Sequence, residues 1–385
     1  MAPSTPAPRG PLTRALLAHL TDSKPLEAPD VGGLDALVDD DLHLALWCCY
    51  QLHHTGFTDV ADGAEWDLDV LGFRQVLERA FESALREEHR PGSLPEDPGV
   101  ALRVIATGAG PSLSSFVARE GTRWHLQEFA IHRSAYQLKE ADSHTWAIPR
   151  LRGRGRAAMI EIQADEYGGG RPGEAHSELF AAAMAGLGLD PEVGAYVDQL
   201  PGATLATDNL VAMFGLNRRL RGCLIGHLAL FEMTSVTPMT RYLDAARRVG
   251  GQPALERFYE VHVEADAHHS ALALDRMVGW FAHDEPELRE DIIFGAAALT
   301  NVERRFAHHV IDSWEHGDSS LLPSAKDRPE RRDPPASAPA CRVSPVRATQ
   351  VRGAWVSDPT ATKKEHRWLA TRPDPKQAPR ASSKA

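Results

Sequence analysis

Residues 258–273 read FYEVHVEADAHHSALA, and this stretch constrains the fold of the whole chain. On a helix turning about 100° per residue, His262, Asp266 and His269 fall at i, i+4 and i+7 and leave from one stripe, which Phe258, Ala265 and Ala273 share. Glu256, Glu260, Glu264, His268 and Asp275 fall mostly on other sides, so the stripe faces inward. A lone histidine on an apolar face is usually a core residue bonded to a neighbour. Two imidazoles and a carboxylate on one face are instead a metal-ligand set, because a buried, unpaired Asp is costly unless something satisfies it. Glu264 and His268 form a second i, i+4 pair, but its neighbours Glu260 and Asp275 make that side a solvated face.

The remaining pattern is helical almost throughout. Apolar residues recur at i, i+3, i+4 and i+7 over 34–54 and 71–89. Shorter helices are expected near 100–107 and 111–119, then a long one over 123–146 ahead of Pro149. Later helices are expected to end near Tyr167 and to cover 174–186, 203–217, 219–236, 238–248, 252–280 and 286–316. No series of alternating strands, glycine-rich phosphate loop or internal repeat occurs, so the expected class is all-α.

Residues 1–33 are proline-rich apart from the short amphipathic run 12–20 and are expected to be a flexible N-terminal segment, with one domain over 34–320. Residues 321–385 hold ten of the 27 prolines and 14 Lys+Arg against six Asp+Glu, so this tail is expected to be disordered. Since the whole chain is at −11, a tail at +8 leaves −19 for residues 1–320. No basic stripe interleaved with aromatics lies within that acidic body, which excludes a nucleic-acid-binding domain. Cys48, Cys49, Cys223 and Cys341 show no CxxC spacing, and the adjacent pair reads as core. With no signal peptide and no apolar run approaching ~18 residues, the expectation is a reduced cytoplasmic protein without a membrane partner.

One helix cannot complete a metal site, so other buried acids matter. Glu232 shares a face with Ile225, Leu228 and Ala229 and has no basic residue at i−3 or i−4. Glu166 follows Met159 and Ile162 on one side of its helix; the glycine break after it lets the chain reverse toward His176. By spacing alone Asp165 or Glu161 would serve as well as Glu166. Glu140 follows Phe129, Arg133 and Tyr136, while Glu128 with His132 and Glu140 with His144 are rival i, i+4 pairs. Glu140, Glu166, Glu232 and Asp266 together carry −4, which two ferrous ions neutralise and one divalent ion does not. Manganese accepts the same donors.

Glu140, then Glu166-x9-His176 beginning DEYGGG, then Glu232, then His262-x3-Asp266-x2-His269 resemble the ligand pattern of the heme-oxygenase-like diiron oxidase and oxygenase family, over roughly residues 121–280. The resemblance implies a heme-oxygenase-like helical bundle with two Fe2+ that activate O2 as co-substrate. It implies that Glu140, Glu166, His176, Glu232, His262, Asp266 and His269 are the metal ligands, and it alone raises Glu140 above Glu128. Ferritin-like diiron proteins use Glu-x-x-His, which occurs nowhere in this chain, and a haem site would leave four acids unexplained.

The expected function is an O2-dependent oxidase or oxygenase acting on a small-molecule substrate by N-oxygenation, amino-acid fragmentation or fatty-acid-type C–H oxidation. An external electron donor is expected, since no flavin or nicotinamide motif is present, and a homodimer is left open. Tyr136 and Tyr167 are candidate hydrogen-bond donors beside the ligands, and Arg133 either reads a substrate carboxylate or sits in an ordinary salt bridge. Two rivals remain: a non-catalytic metal- or partner-binding helical module, and a mononuclear two-His-one-carboxylate oxygenase.

Overall fold

The computed structural model describes residues 2–89, 94–108 and 110–323. Among them every regular element is helical. The first group is α1 (Pro11–Asp22), α2 (Asp40–Gln51), α3 (Leu68–Glu88), α4 (Pro98–Ala106) and α5 (Leu113–Glu120). Next come α6 (Arg123–Gln137), α7 (Asp142–Thr145), α8 (Gly153–Glu166), α9 (His176–Gly186), α10 (Gly202–Leu216), α11 (Arg221–Thr234), α12 (Val236–Arg248) and α13 (Pro253–Ala271). A π-helical segment, Leu272–Val278, continues α13 into α14 (Gly279–Asp284), and α15 (Arg289–Glu315) follows.

Local chemistry starts these helices where the sequence supplies it. Asp39 caps α2 by accepting from the amides of Asp41 and Leu42, Asp67 does the same for α3, and Pro253 opens α13. Helix α10 is buried from Gly202 to Gly215 and forms the centre of the bundle against α2, α15 and α6. Helices α11 and α15 cross at glycine: a Cβ on Gly226 would strike the carbonyl of Ile292, and one on Gly295 the carbonyl of Cys223. Only hydrogen at both positions allows the two backbones to come so close.

The core falls into two hydrophobic clusters. One holds α1, α2, α10 and most of α11; the other holds the facing sides of α5, α6, α9, α12 and the start of α13. Cys48, Cys49 and Cys223 are buried free thiols, as the core reading required.

Three sequence expectations need correction. Residues 1–33 contain a docked helix: Leu12, Leu16 and Leu17 of α1 are buried, and the Asp41 carboxylate accepts from the amides of Leu12 and Thr13 at 2.8 and 3.0 Å. The cap comes from α2, so nothing in the local proline-rich composition announces it. The long helix over 123–146 breaks after Gln137, and Ala141 takes a φ of 77° before α7 begins. Lys139 holds the break by pairing with the buried carboxylate of Asp208 at 2.8 Å, and Gln163 donates to the Ala141 carbonyl at 2.8 Å. At the C-terminal end the Leu322 amide donates to the Gln199 carbonyl, so ordered chain runs past residue 320. The rest of the expected tail, from residue 324, lies outside the described residues.

Candidate metal centre

Each of the seven residues singled out in the sequence is buried, and their donor atoms converge. Glu140 projects from the break between α6 and α7, Glu166 ends α8, His176 begins α9, Glu232 lies on α11, and His262, Asp266 and His269 line one face of α13. Their donors form two groups, Glu140/His176/His262 and Glu166/Glu232/Asp266/His269, each with all donor atoms within 4.8 Å of one another. Glu166 spans the two: one oxygen lies 2.8 Å from His176 Nδ1 and the other 3.5 Å from His269 Nδ1. His262 Nε2 lies 3.4 Å from Glu140, and His269 Nδ1 lies 3.4 Å from Glu232 and 3.9 Å from Asp266. The glycine break makes the Glu166–His176 approach possible, since Gly168 has a φ of +65° and any Cβ there would strike the backbone of Glu174.

The outward nitrogens fix how two of the imidazoles present themselves. His262 Nδ1 donates to the Phe258 carbonyl at 2.8 Å, leaving Nε2 toward Glu140. His269 Nε2 donates to Asp165 at 3.1 Å, leaving Nδ1 toward Glu166 and Glu232. Such outer partners set the ring and raise its basicity as a ligand. Asp165, a rival to Glu166 on sequence spacing, therefore sits behind the histidine, and Glu161 pairs with Arg276 at 2.9 Å.

The electrostatics of the metal-free centre are those of too many acids in a dry place. Burial pushes Glu232 up to about 8, with Glu166 and Asp266 adding repulsion, and burial likewise raises Asp266. Burial opposes charge on His262, but Glu140, Asp266 and Glu166 outweigh it and raise the ring to about 10; Glu232, Asp165 and Glu166 take His269 to about 9 in the same way. Glu166 is held low against its own burial by the three histidines. Glu140 Oε2, His176 Nδ1, His262 Nε2 and His269 Nδ1 are buried without a well-formed hydrogen bond and point inward. A cation matches all of these atoms, so the residues present fit a metal.

The remaining sequence candidates have other work. Glu128 accepts from Trp314 Nε1 at 2.8 Å and from the Ser320 amide at 2.7 Å, and His132 bonds Thr204 and Ser320, so that pair fastens the chain after α15. His144 faces His227 at 3.2 Å. Arg133 is in the salt bridge, bidentate to Glu303 at 2.8 and 2.7 Å. Tyr167 donates to Asp142 at 2.7 Å, away from Glu166, whereas Tyr136 lines the cavity beside the cluster and packs against Phe231. Sequence reasoning missed Ser235, at the junction of α11 and α12, whose hydroxyl donates to the Glu232 carbonyl at 3.3 Å and favours the charged form of Asp266; a serine at a helix start reads as an ordinary cap.

Comparison with known proteins adds two findings. Residues 127–304 match the family described as iron-containing redox enzyme. The chain is also similar to a nitrosourea synthase of Streptomyces achromogenes subsp. streptozoticus, 25% identical over 141 residues, or 37% of this chain. The matched stretch spans 30% of that relative's length. Among the described residues no helix is long and apolar enough to cross a membrane.

Proposed function

We propose, from the match of residues 127–304 to the family described as iron-containing redox enzyme, that the chain is a non-heme diiron oxidase or oxygenase that uses dioxygen on a small molecule. Glu140, His176 and His262 would hold one iron and Glu232, Asp266 and His269 the other, with Glu166 facing both groups. The observation that carries this reading is Glu166, whose two oxygens face different donor groups. A mononuclear site would use one group and leave the other as buried, unneutralised charge.

When bound, the irons supply the electrons that reduce dioxygen, and the chain supplies the setting. Phe258 O and Asp165 keep His262 and His269 aimed. Leu228, Phe231 and Met239 line a cavity of about 20 Å3 against the carboxylates, the space of one water-sized molecule. A chamber this small, closed on one side by apolar side chains, limits water at the reacting atoms. Electrons come from a separate donor. The relative's name supports oxidation at nitrogen among the expected reactions.

Iron analysis and oxygen uptake test the proposal. Reconstituted protein binds two irons per chain, and Glu232→Ala lowers that number and abolishes substrate-dependent oxygen consumption. One iron per chain, unchanged in Glu232→Ala, would replace the diiron reading with a mononuclear one. Two irons with no oxygen consumption under any reductant would leave a non-catalytic module.

A further inference from the structure

A second cavity of about 500 Å3 opens beside the small one and shares Tyr136, Phe231, Ser235 and Met239 with it. Its size is that of a small-molecule pocket. Its charged lining is three arginines, Arg133, Arg241 and Arg304, against the single acid Glu303, in a chain whose net charge is −11. Arg133 is spent on Glu303, with its guanidinium over Phe306. Arg241 is not spent: its bonds are 3.4 Å contacts to the hydroxyls of Ser112 and Ser114, and among the described residues no carboxylate lies within ion-pair distance of it. Arg304, at the exposed rim, donates to the Asn301 amide oxygen at 3.2 Å. A half-buried guanidinium facing a cavity with weak neutral partners is prepared for an anion with the geometry of a planar fork.

Aromatic rings line much of the cavity between Arg241 and the carboxylates. Phe129 stacks on Tyr242 at 4.6 Å, Tyr242 stacks on Tyr259 at 5.7 Å, and Phe231 marks the join with the small cavity. Ser235 touches both cavities, and at 1.5 Å rise per residue Arg241 lies roughly 9 Å further along the α12 axis.

We propose that this cavity is the substrate pocket and that Arg241, with Ser112 and Ser114, is its anion subsite. The substrate class is an amphipathic small carboxylic acid, held by its carboxylate at the outer end, with its apolar body along Phe129, Tyr242 and Phe231 and its opposite end at the metal centre. The carboxylate is a handle and does not react. Acids too short to span from Arg241 to Ser235 are poor ligands. This assignment rests on the diiron reading for what happens at the inner end, but the binding step needs no metal.

The test is calorimetric binding of 4-phenylbutanoate, 4-phenylbutanol and 4-phenylbutylammonium to metal-free and iron-loaded protein. The acid is expected to bind at least tenfold tighter than the other two, equally well with and without iron. Arg241→Gln is expected to remove that preference while leaving alcohol binding and iron stoichiometry unchanged, and Arg241→Lys to keep part of it. Alcohol or ammonium binding as tightly as the acid would overturn the proposal, as would an acid preference that survives Arg241→Gln. Acid binding that tightens tenfold with iron would place the carboxylate on the metal and overturn the orientation. A protein that holds fewer than two irons yet keeps an Arg241-dependent acid preference would sink the diiron reading and leave the pocket standing.

Discussion

Asp165 holds the outer nitrogen of His269 from the solvent edge, while the inner nitrogen faces two buried carboxylates. Removing such a partner commonly costs a ligand about 10- to 100-fold in metal affinity, so Asp165→Ala weakens iron binding by that factor without changing the number of irons. Competition titration with a chelator measures it, and unchanged affinity would deny Asp165 the orienting role. A second residue contributes to the response to acid, as do the other histidines that burial lowers. His43, enclosed in the core, donates to Ala36 O and accepts from Asn209, and burial lowers it from 6.5 to about 4. The unfolded chain takes up that proton below 6.5 and the folded chain does not, so stability is full above 6.5 and falls as pH drops toward 4. The loss is about 2 kcal/mol by pH 5. Urea unfolding from pH 7 to 4.5 checks it: His43→Leu is weaker at pH 7 but has a shallower slope, and equal slopes would refute the assignment. The sequence marked histidines, but nothing in its spacing separates His43 from a ligand such as His176; that difference is made by Asn209, 166 positions away.

Helix by helix, the periodicity was most informative where one element does one job. The stripe on α13 and the lone acid on α11 were readable because each interrupts an otherwise apolar face. Glu140 was not readable that way, because it lies on a break held by a distant Asp208 and by Gln163, and only the resemblance selected it. The large pocket was invisible for the same reason: its walls come from α5, α6, α11, α12 and α15 together. The crossing of α11 and α15 gives a prediction of its own. In an exposed helix Gly→Ala gains up to about 1 kcal/mol, whereas overpacking costs about 1–3 kcal/mol. Gly226→Ala is therefore destabilising, and because α11 carries Glu232 it also loosens iron binding. A variant with raised Tm and normal iron content would mean that the helices do not meet there.

Across the whole molecule, the centre lies where the two hydrophobic clusters adjoin, with Phe258 in one and Ala273 in the other at the two ends of the same stripe. Without metal, protons on His262 and His269 offset only part of the charge of four buried carboxylates; a cation that displaces those protons satisfies the donors more fully, so metal binding is also folding free energy. Free metal at 100 times its Kd contributes about 2.7 kcal/mol, and iron loading is expected to raise Tm by several degrees and chelation to reverse it. Calorimetry with and without chelator decides, and an unchanged Tm would mean the acids are already satisfied. The fold class was legible from end to end because helical periodicity is local. The docking of α1 was not, since its capping carboxylate belongs to another helix.

The glycine contact between α11 and α15 joins two walls that must both stay still. Helix α11 presents Glu232 to the centre and α15 presents Glu303 to the pocket, so sliding either past the other would spoil chemistry and recognition at once. The α5 and α12 side has no such tie between backbones at glycine. Anyone adapting this scaffold to a new molecule would do best to vary Ser112, Ser114 and Arg241 and leave the opposite seam alone.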